Sequence, residues 1–316
     1  MLVHKILVRK ESETDDRFGS YPEKRSVEKL LDYGIVNINK PRGPSSHEVS
    51  AHVQKILGIN KSGHSGTLDP NVTGCLPIAL GRATRIVQVL LPAGKEYVAL
   101  MHLHNGVDEK QLRKTLQQFI GEITQLPPIK SAVKRQERKR KIYSLDVLET
   151  KGQDVMFRVS CQAGTYVRKL CHDIGQKLGV GAHMAELVRT RAGPFDETTM
   201  VSLLDLADAY HYYKEEKNDK YLRNIVKPVE HTVQHMPRIW VFDSTVEPLC
   251  HGTDLAAPGI SKLTDGIQKE DIVAVLSLKG ELVALGKARM NSSEMMGDRG
   301  MAVKIHKVFM EPGTYP

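Results

Sequence analysis

After Gly34 the spacing of apolar residues switches repeatedly between period two and period 3.6, without settling into strict strand-helix-strand alternation. A doubly wound parallel sheet needs that alternation, so the pattern implies an α+β chain with a mixed, largely antiparallel sheet. GIVNIN (34–39) reads as a strand and PRGP (41–44) as a turn. Ser45 or Ser46 then caps a helix whose apolar positions Val49, Val53, Ile56 and Leu57 keep helical spacing up to Gly58. LPIAL (76–80) and KEYVALMHL (95–103) read as strands, and ATRIVQVLL (83–91) as a helix. Asp108 caps a helix expected to run to Gly121. KIYSLDVLE and DVMFRVSC read as strands, and Val167, Leu170, Cys171, Ile174 and Leu178 share one helical face before Gly179.

Composition changes at Gly34 and Pro237 divide the chain into three parts. Residues 1–33 open with a short alternating stretch and become polar, as expected of an arm that packs on something else. Residues 34–236 form the expected core domain, ending in a helical connector (200–227). From 237 to 316, short strands with turn signals, including a hairpin at Lys279-Gly280, mark a compact β-rich module. No run approaches the ~18 apolar residues a membrane span requires, and 41% hydrophobic with 26% charged residues excludes a wholly disordered chain. Cys75, Cys161, Cys171 and Cys250 occur singly, without the spacing of a zinc site or a disulfide framework. With an N-terminus that lacks a signal h-region, this implies a mature cytoplasmic protein. No glycine-rich phosphate-binding motif is present, so no nucleotide cofactor or metal is expected.

The charge is localised. Lys+Arg exceed Asp+Glu by 8 in the whole chain, yet residues 127–143 (PPIKSAVKRQERKRKIY) alone hold seven basic residues and one acidic. Such a segment suits a polyanion. Residues 237–316 carry nine basic and ten acidic residues, so charge alone cannot drive that module onto nucleic acid.

The most loaded loop is GHSGTLDP (63–70), with two glycines, His64, two hydroxyls and Asp69 before a proline. An Asp-Pro pair is ordinarily a turn initiator. It becomes a candidate nucleophile if a cation elsewhere holds the carboxylate ionised. GTYVRK (164–169) offers Arg168, with Tyr166 on the same side if the chain there is extended; otherwise Arg168 is a surface cation on a helix's first turn. GKEYVAL (94–100) places Tyr97 on a strand, where an aromatic ring is ordinarily core but can also stack on an unpaired base.

In order, GHSGTLDPNVTGCLPIALGRATR, LPAGKEYVALMHLH, QAGTYVRKLCHDIG and GAHMAELVRTRAGPF resemble the motifs of the pseudouridine synthases related to the bacterial tRNA enzyme. The resemblance is greatest to the guide-directed box H/ACA branch, the archaeal relatives of dyskerin, and covers essentially the whole chain. It implies a pseudouridine synthase catalytic core joined to a C-terminal PUA RNA-binding domain that the N-terminal arm completes. It further implies Asp69 as the catalytic aspartate, Arg168 as its ion-pair partner, Tyr97 as the ring that stacks on the target base, and Tyr166 beside that base in proton handling. Leu187 corresponds to an apolar pocket residue, and His64 to a residue supporting the loop and RNA distortion.

Residues 127–143 resemble the family's thumb loop, which makes Lys130, Lys134, Arg135, Arg138, Lys139, Arg140 and Lys141 expected phosphate contacts. In the C-terminal module, HGTDLAAPGI, beginning at His251 and Gly252, is the expected RNA-reading segment. The implied partners are an H/ACA guide RNA, substrate RNA, a small zinc-ribbon-like Nop-type protein, a Gar-type β-barrel protein and, through RNA, a kink-turn-binding protein. Isomerising uridine involves no redox change, in keeping with the absence of cofactor motifs. Three routes for Asp69 are compatible with the residues: attack at C1′, addition to C6 of uracil, or abstraction of a C2′ proton. A stand-alone tRNA pseudouridine synthase and a non-catalytic RNA scaffold are the alternatives. The arm and the short thumb weigh against the first, and the joint presence of Asp69, Tyr97, Tyr166 and Arg168 against the second.

Overall fold

The computed structural model describes residues 5–126 and 136–316. Lys130, Lys134 and Arg135 lie outside the described residues. Two compact units divide the chain: the arm through Gly34 belongs with Lys227–Pro316, and Ile35–Val226 forms the other.

In the first unit the arm supplies β1 (Ile6–Val8) and helix α1 (Val27–Tyr33). β1 pairs antiparallel with the strand Ile260–Thr264, Leu7 opposite Leu263. It thereby becomes the edge of a sheet ordered β1, Ile260–Thr264, Arg238–Val241, Ile272–Leu276, Leu282–Ala288, Met301–Val308 and Leu255–Ala256. Val241, Val246, Leu249, Ile260, Val273, Val283 and Val303 fill its core, and Leu7 and Phe18 pack against them. The arm is also tied down by charge. Arg25 donates to both carboxylate oxygens of Glu230 at 2.8 Å, and Glu230 Oε1 also accepts from the Leu282 N–H at 3.0 Å. Removing one partner of such a buried pair costs about 3–5 kcal/mol, since the other charge is left unpaired.

The second unit is built on β2 (Gly34–Lys40), β3 (Ser62–His64), β4 (Thr73–Leu80), β5 (Lys95–Leu103), β6 (Gly121–Gln125), β7 (Arg138–Lys151), β8 (Asp154–Cys161) and β9 (Ala182–Ala192). Their order is β2-β4-β9-β5-β8-β7-β6, with β3 added to β4. Neighbours are antiparallel except β4 and β9, which run parallel with Thr73 opposite Val188 and Gly74 opposite Arg189. The chain is α+β with a mixed, largely antiparallel sheet. The helices are α2 (Ser46–Leu57), α3 (Val87–Leu90), α4 (Glu109–Gln117), α5 (Val167–Leu178), α6 (Leu203–Glu216) and α7 (Lys220–Ile225). Val167, Leu170, Cys171, Ile174 and Leu178 bury the inner face of α5 against Ala99, Met101, Phe157 and Val159. Each large apolar side chain so buried contributes about 1.5–3 kcal/mol.

Local chemistry settles several element ends. Ser45, not Ser46, caps α2, its side chain accepting from the Glu48 N–H while Glu48 accepts from the Ser45 N–H. Gly58 closes that helix in the left-handed conformation. Three elements differ from the expectations. Helix α4 stops at Gln117, because Gln118, Phe119 and Ile120 each bond back three residues and tighten the end. Gly121 instead opens β6. The segment 83–91 is not one helix: its start, to Ile86, is 3₁₀, and α geometry is confined to Val87–Leu90. HMAELVRTR carried no element in the sequence reading, yet it belongs to the central strand β9. Its alternation is masked by Arg189, a buried cation where a strand would ordinarily place an apolar residue.

Candidate active site

Asp69 is presented by the loop between β3 and β4, which is fastened to its surroundings by polar groups on both sides. Leu68 is buried beside it, and the Leu68 N–H donates to the Ser46 hydroxyl at 2.8 Å at the start of α2. The Lys40 ammonium, fully buried at the end of β2, donates to the carbonyls of Pro41, Pro70 and Val72 at 2.8–3.0 Å. Burial lowers the Lys40 pKa, and the charge of Asp69 opposes that shift. From below, buried Arg189 donates through Nε to the Cys75 carbonyl at 2.7 Å and through Nη2 to the Gly66 carbonyl at 3.2 Å. Leu68 thus points inward, and the next residue, Asp69, is exposed.

Arg168 reaches Asp69 from the first turn of α5. Its Nη2 donates to Asp69 Oδ2 at 2.5 Å, with both side chains 58% exposed. Tyr166 is the N-cap residue of α5, so the backbone turns helical between the two. The extended geometry that would have set them on one side does not hold, and Arg168 is both a first-turn surface cation and the partner of Asp69. Among the described residues no other group donates to the Asp69 carboxylate.

Tyr97 sits on β5 opposite Arg189 of β9, and Ala99 opposite Leu187. Burial pushes the Tyr97 hydroxyl pKa up, with the Arg189 guanidinium opposing, so the phenol is neutral at physiological pH. Leu187 is half-buried against the core beneath α5. Two residues before Tyr97, the buried Lys95 ammonium donates to the carbonyls of Leu90, Leu91 and Ala93. Burial, aided by Arg189, lowers its pKa to about 8. His64 closes β3 with its ring edge-on to His47 at 4.7 Å. Burial first, then His47 and Arg189, lower its pKa, which favours a neutral imidazole. Arg138, Lys139, Arg140 and Lys141 open β7, where Lys139 pairs with Glu122 at 2.7 Å. His251 and Gly252 belong to the other unit, just after the helix Asp243–Cys250, with His251 Nε2 2.9 Å from Glu247 Oε1.

The chain matches the TruB family pseudouridylate synthase N-terminal domain over residues 54–167, the tRNA pseudouridylate synthase B C-terminal domain over 168–234, the PUA domain over 237–309 and the DKCLD domain over 2–50. It is 55% identical to the probable tRNA pseudouridine synthase B of Methanopyrus kandleri, with 98% of this chain and 92% of that protein aligned. The chain belongs to the TruB family of pseudouridine synthases. The corresponding protein of Thermococcus kodakarensis is 56% identical over 96% of this chain and 91% of its own length.

Among solved structures, this TruB-family chain is similar to one described as a Cbf5-Nop10-Gar1 complex, with a TM-score of 0.94 and 52% identity over 100% of this chain and 97% of that chain. It is also similar to an H/ACA RNP bound to a substrate RNA containing 2′-deoxyuridine, with a TM-score of 0.92 and 50% identity over the same shares. An archaeal box H/ACA sRNP Nop10-Cbf5 complex superposes with a TM-score of 0.90 at 51% identity, over 100% of this chain and 98% of that chain. The family's catalytic architecture, followed by a C-terminal PUA domain, is therefore present. Lys40 and Arg189, which fasten the Asp69 loop, and Lys95, which fastens the turn before β5, carry no role in the sequence expectations. The available signal for Arg189 was its place two residues after Leu187, on the same face of a strand.

Proposed function

We propose that this chain isomerises uridine to pseudouridine in RNA, as the catalytic subunit of a box H/ACA guide ribonucleoprotein, with Asp69 as the catalytic carboxylate. The observation that carries this reading is the exposed Asp69–Arg168 pair on a loop held from beneath by Lys40 and Arg189. A carboxylate whose Oδ2 is occupied by Arg168 is oriented, and its other oxygen is left to meet the nucleotide. The target uridine must leave its stack to reach it. Tyr97 supplies the ring for the base, Leu187 an apolar wall, and Tyr166, at the head of α5 beside Arg168, handles the proton lost from C5 once the C5–C1′ bond has formed. His64 supports the loop.

Arg138, Lys139, Arg140 and Lys141 contact phosphates as the described part of a thumb spanning 127–143. The segment from His251 and Gly252 reads guide RNA within a PUA domain at 237–316, which the arm (1–33) completes, and the catalytic domain lies within Ile35–Val226. Partners are the guide and substrate RNAs, Nop-type and Gar-type proteins, and a kink-turn-binding protein held through RNA. The setting is cytoplasmic. No helix of the described residues is long and apolar enough to cross a membrane.

The names of the curated relatives favour a second reading, a stand-alone tRNA pseudouridine synthase. One experiment separates the two. The purified chain is incubated with a uridine-containing target, with and without a matching guide RNA and partner proteins, and with tRNA alone, and pseudouridine is scored. Guide-dependent product lost in Asp69→Asn supports the proposal. Equal activity without a guide supports the tRNA reading, and activity that survives Asp69→Asn removes the site assignment.

A further inference from the structure

The N-terminus of α5, which carries Arg168, has no cap of its own. Tyr166 occupies the N-cap position, and its side chain makes no capping hydrogen bond. A residue from another strand takes over. Gln125, the last residue of β6 and 2% exposed, accepts from the Tyr166 N–H through Oε1 at 2.9 Å and donates through Nε2 to the Tyr166 carbonyl at 3.1 Å. A second pair lies a few residues earlier. The Gln162 N–H donates to the Lys141 carbonyl of β7 at 2.8 Å, and Gln162 Oε1 accepts from the Lys141 N–H at 3.1 Å. Between these points the loop turns at Gly164 (φ +78°), where an added Cβ would lie 3.1 Å from Arg140 Nη2. Both strands of the β6–β7 hairpin are thus bonded to the loop that delivers Tyr166 and Arg168.

We infer that Gln125 is a positioning residue for the Asp69–Arg168 pair: its amide fixes the N-cap residue of α5, Tyr166, so that Arg168, two residues on, meets Asp69. The inference rests on the catalytic reading of that pair. A buried amide that bonds both polar groups of one residue dictates where that residue lies more tightly than packing does, because a small displacement breaks two hydrogen bonds at once. The β6–β7 hairpin that begins the basic segment therefore sets the geometry of the carboxylate as well as contributing cations.

The test uses the full chain with its guide RNA and partner proteins, in single-turnover assays of pseudouridine formation alongside substrate-RNA binding. Gln125→Leu removes both hydrogen bonds at similar volume, and Gln125→Glu keeps the acceptor for the Tyr166 N–H. The expected result is a loss of at least about tenfold in rate for Gln125→Leu and a smaller loss for Gln125→Glu, with RNA affinity within about twofold of the parent. In an Arg168→Ala background, Gln125→Leu is expected to cost nothing further. If Gln125→Leu destabilises the fold, Gln125→Glu carries the same comparison. A rate within about twofold of the parent for the variant carrying the comparison overturns the inference, as does the same fold-loss with and without Arg168. An Asp69→Asn control that stays active would instead overturn the catalytic reading, and the inference with it.

Discussion

Arg168 lies 99 residues beyond Asp69 in the chain, and its guanidinium Nη2 meets Asp69 Oδ2 at 2.5 Å on the surface of the second unit. An exposed ion pair contributes only about 0.2–1 kcal/mol to stability, so the pair is not what holds these segments together. Lys40, Ser46 and Arg189 hold the Asp69 loop from within, and the pair is left to orient a carboxylate. Asp69→Asn is accordingly expected to abolish detectable pseudouridine formation. Arg168→Ala is expected to slow it by about 10²–10³, the usual cost of removing one oriented donor from an active site. Melting temperatures of both variants should stay within about 4 °C of the parent. Single-turnover rates and thermal melts on the same preparations check both halves.

Gly74 is a position where a methyl group should be severe. Its φ is +102°, and a Cβ there would lie 2.3 Å from the Arg189 carbonyl oxygen, on backbone that cannot swing aside. The parallel junction of β4 and β9 depends on that approach. Gly74→Ala is expected to destabilise the second unit by about 2–4 kcal/mol, read from denaturant melts, and to displace Arg189 from the Gly66 carbonyl. Unchanged stability would contradict this account of the junction.

Lys95 gives a pH signature. Its folded pKa, about 8, lies below the ordinary lysine value of 10.5 because burial penalises the ammonium. The unfolded chain therefore binds more protons than the folded one between those values, and stability attributable to this group rises with pH across that window. The penalty is fully present below pH 8, on the order of 3 kcal/mol, and gone above about pH 10.5. Lys95→Met should change stability relative to the parent by a pH-dependent amount, with the variant losing ground steadily from pH 8 to 10.5. Paired urea melts at pH 7, 9 and 10.5 measure it, and a flat difference would contradict the burial argument.

Arg138, Arg140 and Lys141 open β7, which pairs with β6 at the edge of the sheet. If each neutralises one phosphate, replacing all three with Ala should weaken substrate-RNA binding and reduce the slope of log K against log salt by about 2–3, at roughly 0.7–0.9 per contact. An unchanged slope would remove these residues from the RNA interface.

The sequence marked what chemistry and periodicity mark, and missed what packing decides. The α+β class follows from the irregular order of strands and helices, and the GHSGTLDP and GTYVRK segments mark Asp69 and Arg168 as candidates. Gln125 was invisible because an isolated glutamine at the end of a strand has no pattern; only the fold brings Tyr166 to it. Arg189 does not stand out in the sequence because HMAELVRTR shows no clear strand alternation. It is 1% exposed, its charge taken up by the carbonyls of Gly66 and Cys75. Lys40 sits just past GIVNIN (34–39), where nothing in the sequence marks a lysine as buried. Glycine so often ends a helix that Gly121 is the expected end of α4, whereas the tightened turn before it has already closed the helix.

The pairing of β1 with Ile260–Thr264 has a consequence for biosynthesis. The arm leaves the ribosome well before its sheet partner, which is made more than 250 residues later, roughly 13–50 s at 5–20 residues per second. Everything the intervening unit needs, from Ile35 to Val226, emerges before then. The synthase core can finish folding while the arm, with its apolar Leu7 and Phe18, still waits for the strands that will cover it. That interval is when a nascent chain of this kind is most exposed to proteases, and to chaperones that bind short apolar segments.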